Sequence, residues 1–290
     1  MTSKDLLMDL LEERGMAYRK QAKRCREQLT TDAIHDLRTS VRRLLATLDI
    51  VAFFTSASNV EKVSDRLKSQ MDGFSDLRDM QVMLDKLSDD VDVLPQLAPF
   101  QNYLEKRAKR RKRADEKHIR NIKAGGVNKR LSKLQKAVEE LPAEDLEGRL
   151  PQAVDEAFLR VMQRYSEVNT SELVSIHRLR VAFKKFRYMV EAIRPCLPAV
   201  PGALLKHMDD YQTQLGNIHD IQVFLEMLDE FAKQDNSYDS TPVRRFYARM
   251  LEEAVAAYLQ RKEEVVRFWR ATPLESFPWQ ANQIQEEQPV

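Results

Sequence analysis

The chain writes the same helix twice. Residues 34–51 read IHDLRTSVRRLLATLDIV and residues 176–193 read IHRLRVAFKKFRYMVEAI. With Ile34 set on Ile176, His35 falls on His177, Leu37 on Leu179, Arg38 on Arg180, Val41 on Phe183, Arg42 on Lys184 and Arg43 on Lys185. Further along, FSDLRDMQVMLDKL at 74–87 falls on LGNIHDIQVFLEML at 215–228, with Asp79 on Asp220, Gln81 on Gln222 and Val82 on Val223. Two blocks that recur in the same order predict one domain spanning 1–290, built from homologous halves at about 1–140 and 150–280.

The material of both halves is helical. Glycine occurs only 7 times in 290 residues, and Leu, Ala, Glu, Lys, Arg, Gln and Met dominate. That excludes a glycine-rich nucleotide-binding sheet and a β-sandwich. The N-terminal MTSKDLLMDLLEERG predicts a helix capped by Ser3 rather than a signal peptide. Gly125-Gly126 is expected to break a long helix, and Pro142 and Pro151 flank an acidic connection, PAEDLEGRLP. Pro195, Pro198 and Pro201-Gly202 mark another connection, and KQDNSYDSTP separates the last two long helices. The expectation is an all-α fold of two four-helix bundles around a pseudo-twofold axis.

Placing the repeated block on a helical wheel separates its residues by face. Leu37, Val41, Leu44, Leu48 and Val51 form one apolar stripe, as do Ile176, Leu179, Phe183, Phe186, Val190 and Ile193. His35, Arg38 and Arg42 flank the first stripe; His177, Arg180, Lys184 and Arg187 flank the second. Cations on a helix usually face acids one turn away, yet 176–190 holds five Lys and Arg and no Asp or Glu. Unpaired cations at this spacing predict an external anion.

A second basic row, Lys106, Arg110, Arg113, Lys117 and Arg120, recurs at one-turn spacing inside 103–136, where fourteen Lys and Arg stand against three acids. The first helix adds Arg19, Lys20 and Lys23 as weaker candidates. Acids gather elsewhere: seven Asp in 72–92 and eight Asp and Glu in 209–239. The net charge of +2 therefore hides a charge-separated chain, expected to focus positive potential into a groove.

Other chemistry finds no footing. The chain has no phosphate-cradling glycine loop, no nucleophile elbow and no HExxH. His219-Asp220 resembles the metal-binding dipeptide of helical phosphohydrolases, but the corresponding pair in the first half is Arg78-Asp79, and arginine cannot ligate a metal. Asp79 and Asp220 are instead expected to anchor nearby basic side chains. No metal, cofactor or catalytic residue is predicted. Cys25 and Cys196 lack ligand spacing and read as buried free thiols of a reducing compartment. With no apolar run long enough for a membrane span, the expected location is the cytoplasm.

The block H-x-x-R-x-x-x-R-R at His35, H-x-x-R-x-x-x-K-K at His177, and the later LRDMQV and HDIQV resemble the CHAD domain, the conserved histidine α-helical domain. The resemblance implies two helical bundles around a basic cavity that binds inorganic polyphosphate without hydrolysis, with a place at polyphosphate granules. It implies roles for His35, Arg38, Arg42 and Arg43, for His177, Arg180, Lys184, Lys185 and Arg187, with Lys106, Arg110, Arg113 and Lys117 nearby. Leu45 stands where the second half has Arg187, so weaker binding is expected from the first half. A nucleic-acid binder shares the electrostatic warrant, but single strands need aromatic platforms, and Phe183 and Phe186 fall on the apolar stripe.

Overall fold

Segment by segment, the sequence favours helices, and helices are what form. The computed structural model describes residues 1–73, 75–120 and 124–280; among them there are eleven α-helices and no strand. The first six are α1 (Ser3–Glu27), α2 (Thr31–Phe54), α3 (Ala57–Asp72), α4 (Ser75–Asp90), α5 (Ala98–Arg120) and α6 (Ala124–Glu139). A one-turn α7 (Ala143–Leu146) leads into α8 (Leu150–Ser166), α9 (Leu173–Ile193), α10 (Gly202–Gln234) and α11 (Thr241–Arg261). None of the described helices is long and apolar enough to cross a membrane.

Local chemistry explains where the helices start and stop. Thr2, not Ser3, caps α1: its hydroxyl accepts from the Asp5 amide while the Asp5 carboxylate accepts from the Thr2 amide. Ser3 lies inside the first turn, where its amide donates to Glu147 at 3.2 Å. Thr30 caps α2 through the amide of Ala33. In the acidic connection Gly148 takes φ +69°, a left-handed turn that glycine adopts without steric cost, and Pro151 opens α8.

Two expectations about breaks are corrected. Gly125 and Gly126 fall in the first turn of α6, not between helices. A Cβ on Gly126 would stand 3.0 Å from Arg66 Cζ, so the missing side chain lets α6 approach α3. Among the described residues the first part of the chain also has six helices rather than four; in one place, what is a single 33-residue helix in α10 is divided into α3, capped by Gly73, and α4.

Both apolar stripes are buried as the wheel requires. Leu37, Val41, Leu44, Leu48 and Val51 on α2 and Ile176, Leu179, Phe183, Phe186, Val190 and Ile193 on α9 all lie in the interior. Each such side chain contributes roughly 1.5–3 kcal/mol by leaving water. α2 and α9 pack directly on each other at the centre of a large apolar core that also takes in α1, α3, α6, α8 and the start of α10. A smaller core joins α4 and α5 to the rest of α10 and to α11. Cys25 is buried in the larger core, whereas Cys196 is only half-buried, because it sits in the short 3-10 turn after α9 rather than on an apolar helix face. The α2–α9 contact sets what lies beside it: the basic flank of each helix meets the other, and α4 and α10 pack alongside.

Candidate functional site

Because the basic residues flank the apolar stripes, burying the stripes drags the cations together. Arg42 and Lys184, one from each repeated block, are near neighbours, with Arg38 and Arg180 close to both. Among the described residues neither Arg42 nor Lys184 makes an ion pair. Burial, and then the surrounding guanidinium groups, push the Lys184 amine down from 10.5 to about 7 and the Arg42 guanidinium to about 10. A cation that close to losing its proton is held there by the rest of the fold against its own electrostatics.

Arg38 reaches across to α3, where its Nη1 donates to the Met71 carbonyl at 3.1 Å, among the free carbonyls that end the helix. Asp79 on α4 is the strongest carboxylate influence on Arg38, and Asp220 on α10 is the strongest on Arg180. Asp220 also accepts from Lys86 at 3.1 Å. These acids thus lie beside basic side chains, as expected of anchors. The acid-rich helices α4 and α10 lie against the basic ones, because α4 packs on α2 and α10 on α9.

Each repeated histidine has a partner on the helix that carries the second block. Arg78 Nη2 lies 3.4 Å from His35 Nδ1, and since arginine only donates, that contact makes Nδ1 the acceptor and puts the imidazole proton on Nε2. His177 Nδ1 lies 3.1 Å from His219 Nδ1, an arrangement that needs one donor and one acceptor, so at least one ring is neutral. Burial, followed by Arg180 and His177, pushes His219 down to about 4, so that ring is neutral at pH 7. Desolvation lowers His35 and His177 as well, each with help from a neighbouring arginine. Arg78 and His219 were legible only as a mismatched pair in the second block; that they serve one purpose, contacting a histidine, appears when the helices are placed.

A cavity of about 390 Å³ opens on one side of this cluster. Five Lys and Arg side chains line it, Arg42, Lys68, Arg180, Lys184 and Lys185, against one carboxylate, Asp49. Lys68 comes from α3, outside both repeated blocks, and no sequence pattern singled it out. Asp49 is engaged by Lys185 at 2.8 Å, a bridge from α2 to α9.

The other expected residues are spread more widely. Arg187 is nearly buried and committed to Glu191 at 2.8 Å and Asp209 at 3.2 Å, with Gln212 accepting from Nε. Its partners come from just beyond the acid-free window and from α10, which is why the sequence window made it look unpaired. Arg43 is exposed. Lys106 and Arg110 line a separate cavity of about 320 Å³, where Arg107 bridges to Glu230 on α10 at 2.6 Å. Arg113 is exposed, and the side chain of Lys117 lies outside the described residues, as does that of Arg120. Off the expected row, Arg111 of α5 lies 3.4 Å from Asp76 on α4. Arg19, Lys20 and Lys23 are exposed on α1, Lys23 paired with Glu27 at 3.7 Å.

Among the described residues no group of three or more His, Cys, Asp or Glu side chains has a geometry able to hold a metal ion. Of the dipeptide that resembles a phosphohydrolase motif, His219 faces His177 and Asp220 holds Lys86.

A family model described as the CHAD domain matches residues 10–229. The chain is similar in fold to a crystal structure of the CHAD domain from the plant Ricinus communis, at 18% identity and a TM-score of 0.69 over 93% of each chain. It is also similar to PptA from Streptomyces chartreusis, at 16% identity and a TM-score of 0.71 over 90% of this chain and 99% of that one. No curated protein matches the chain.

Proposed function

The chain belongs to the CHAD-domain family, and from that membership and the cations gathered between α2 and α9 we propose that it binds inorganic polyphosphate, or a polyanion of similar charge density, without cleaving it. The observation that carries this reading is the cavity in which five Lys and Arg side chains face one carboxylate that already has a partner. Arg42 and Lys184 are the core of the proposed site, because each loses hydration on folding and neither gains an ion pair among the described residues. A bound phosphate oxygen supplies what they lack. Each charge-assisted hydrogen bond is worth about 1.5–3 kcal/mol, less where water and salt reach it. Arg180 and Arg38 add forked donors, and their carboxylate neighbours keep them oriented before the ligand arrives. His35 offers Nε2–H and His177 a ring that phosphate makes easier to protonate.

Polyphosphate suits such a site better than single-stranded nucleic acid. Its repeating phosphates need only donors, whereas bases need flat platforms. Phe183 and Phe186 are fully buried and Tyr188 is 8% exposed, under the guanidinium of Arg187. The exposed cations of α5, Lys106, Lys109, Arg110, Lys112 and Arg113, favour a weaker outer contact with any long polyanion, nucleic acid included.

The test is competition. Labelled polyphosphate is bound at physiological salt and challenged with single- or double-stranded DNA at equal phosphate concentration, with orthophosphate release followed in the presence of Mg²⁺ or Mn²⁺. Retention of polyphosphate, a steep loss of affinity with salt, and no orthophosphate are expected. Displacement by DNA, or orthophosphate release that disappears in His219→Ala, overturns the reading.

A further inference from the structure

The basic cavity has a larger neighbour. This neighbour has a volume of about 490 Å³, lies between α4, α10 and α11, and carries the opposite charge. Four carboxylates line it, Asp79, Asp90, Asp220 and Glu253, against one amine, Lys86, which already donates to Asp220 at 3.1 Å. Its walls are apolar: Met83 and Phe224 come from the smaller core, and the Phe224 ring stacks on Tyr247 with centroids 3.6 Å apart. The Tyr247 hydroxyl donates to Asp90 at 2.5 Å, which fixes that carboxylate at the cavity wall.

We propose that this cavity is a second binding site, for a small aliphatic di- or polyamine. The volume falls in the range of small-molecule sites, whose walls are mostly apolar with a few converging polar groups. The charge selects a cation, and a stacked aromatic wall beside carboxylates favours an alkylammonium over a hydrated metal ion: the methylenes lie against Phe224 and Met83, and the ammonium groups reach the carboxylates at either side. Asp79 and Asp220 belong to this cavity on one side and stand beside Arg38 and Arg180 on the other. An amine in the acidic cavity therefore offsets the charge of the same two carboxylates that stand beside Arg38 and Arg180, which leaves those arginines freer to bind an anion. The amine site itself stands whether or not the anion is polyphosphate.

Calorimetric titration of the full chain, free of polyphosphate, with 1,8-diaminooctane and with the neutral 1,8-octanediol tests this. The expected result is one diamine per chain, with the diol bound at least about tenfold more weakly, since recognition rests on charge. Glu253 is exposed, so Glu253→Gln removes one rim charge without touching the core and weakens the diamine about two- to fivefold. Ala254→Phe fills the cavity and abolishes binding, with helicity checked by circular dichroism. Failure of the wild-type chain to bind the diamine, equal binding of the diol, or unchanged binding by both variants overturns the proposal. Because no polyanion is present, a negative result here leaves the anion site standing, and failure of the competition experiment leaves this one standing.

Discussion

Lys184→Met separates binding from stability. In the folded chain the Lys184 amine sits at about 7 instead of 10.5. A difference of one unit is worth about 1.4 kcal/mol, so at neutral pH the buried charge opposes folding by up to ~4 kcal/mol, and by ~1–2 kcal/mol once water reaching the cavity is allowed for. Methionine keeps the length of the side chain and removes the charge, and it faces Arg42 and Arg180 without repelling them. The variant is expected to melt about 2–4 °C higher than the parent. The sign with pH follows from proton counting. Between about pH 7 and 10.5 the unfolded chain holds the Lys184 proton and the folded one has released it, so parental stability rises with pH across that window. The advantage of the variant is thus greatest below pH 7 and fades towards pH 10. Its polyphosphate affinity should fall by about tenfold or more, one charge-assisted bond. Thermal melts from pH 6 to 9, with a binding isotherm at pH 7, check both halves. A variant that melts lower than the parent, or binds as well, shows that Lys184 is satisfied without a ligand and refutes the reasoning.

Polyphosphate binding should take up protons at pH 7–8, as the bound anion restores the Lys184 charge, and affinity should fall as pH rises from 7 to 9; calorimetry in buffers of different ionisation heat measures the uptake. Arg38→Gln with Arg42→Gln and Arg180→Gln with Lys184→Gln should cost similar affinity, within about threefold, because Arg187, the expected source of asymmetry, is spent on Glu191 and Asp209. A loss confined to one pair, read from the same isotherms, would mean that the two helices do not share one anion. Asp155 accepts from Trp269 Nε1 at 2.7 Å and from Arg270 at 2.6 and 2.8 Å. Asp155→Ala leaves Arg270 charged and nearly buried and should cost about 3–5 kcal/mol in urea denaturation. It should leave affinity in the folded state unchanged, since these residues do not line the basic cavity.

The helical class, the two apolar stripes and the cations that flank them were open to a reader of the residues alone. Periodicity decides which side of a helix is apolar, and the repeat shows that α2 and α9 carry a similar apolar stripe and basic flank in the same register. The connection between α6 and α8 was legible from its prolines, Pro142 and Pro151, and the first cap was misread by one position at Thr2, where two neighbouring hydroxyl residues compete for it. What lay beyond the sequence was pairing between helices. Arg187 looked free because its partners include a residue from α10, and Lys185 because its partner is on α2. Lys184 and Arg42 looked no different from these, yet packing left them facing each other. A wheel assigns each side chain a direction but not a neighbour. Only packing decides which cations meet an acid and which meet another cation, because charges this close interact through space and not along the chain.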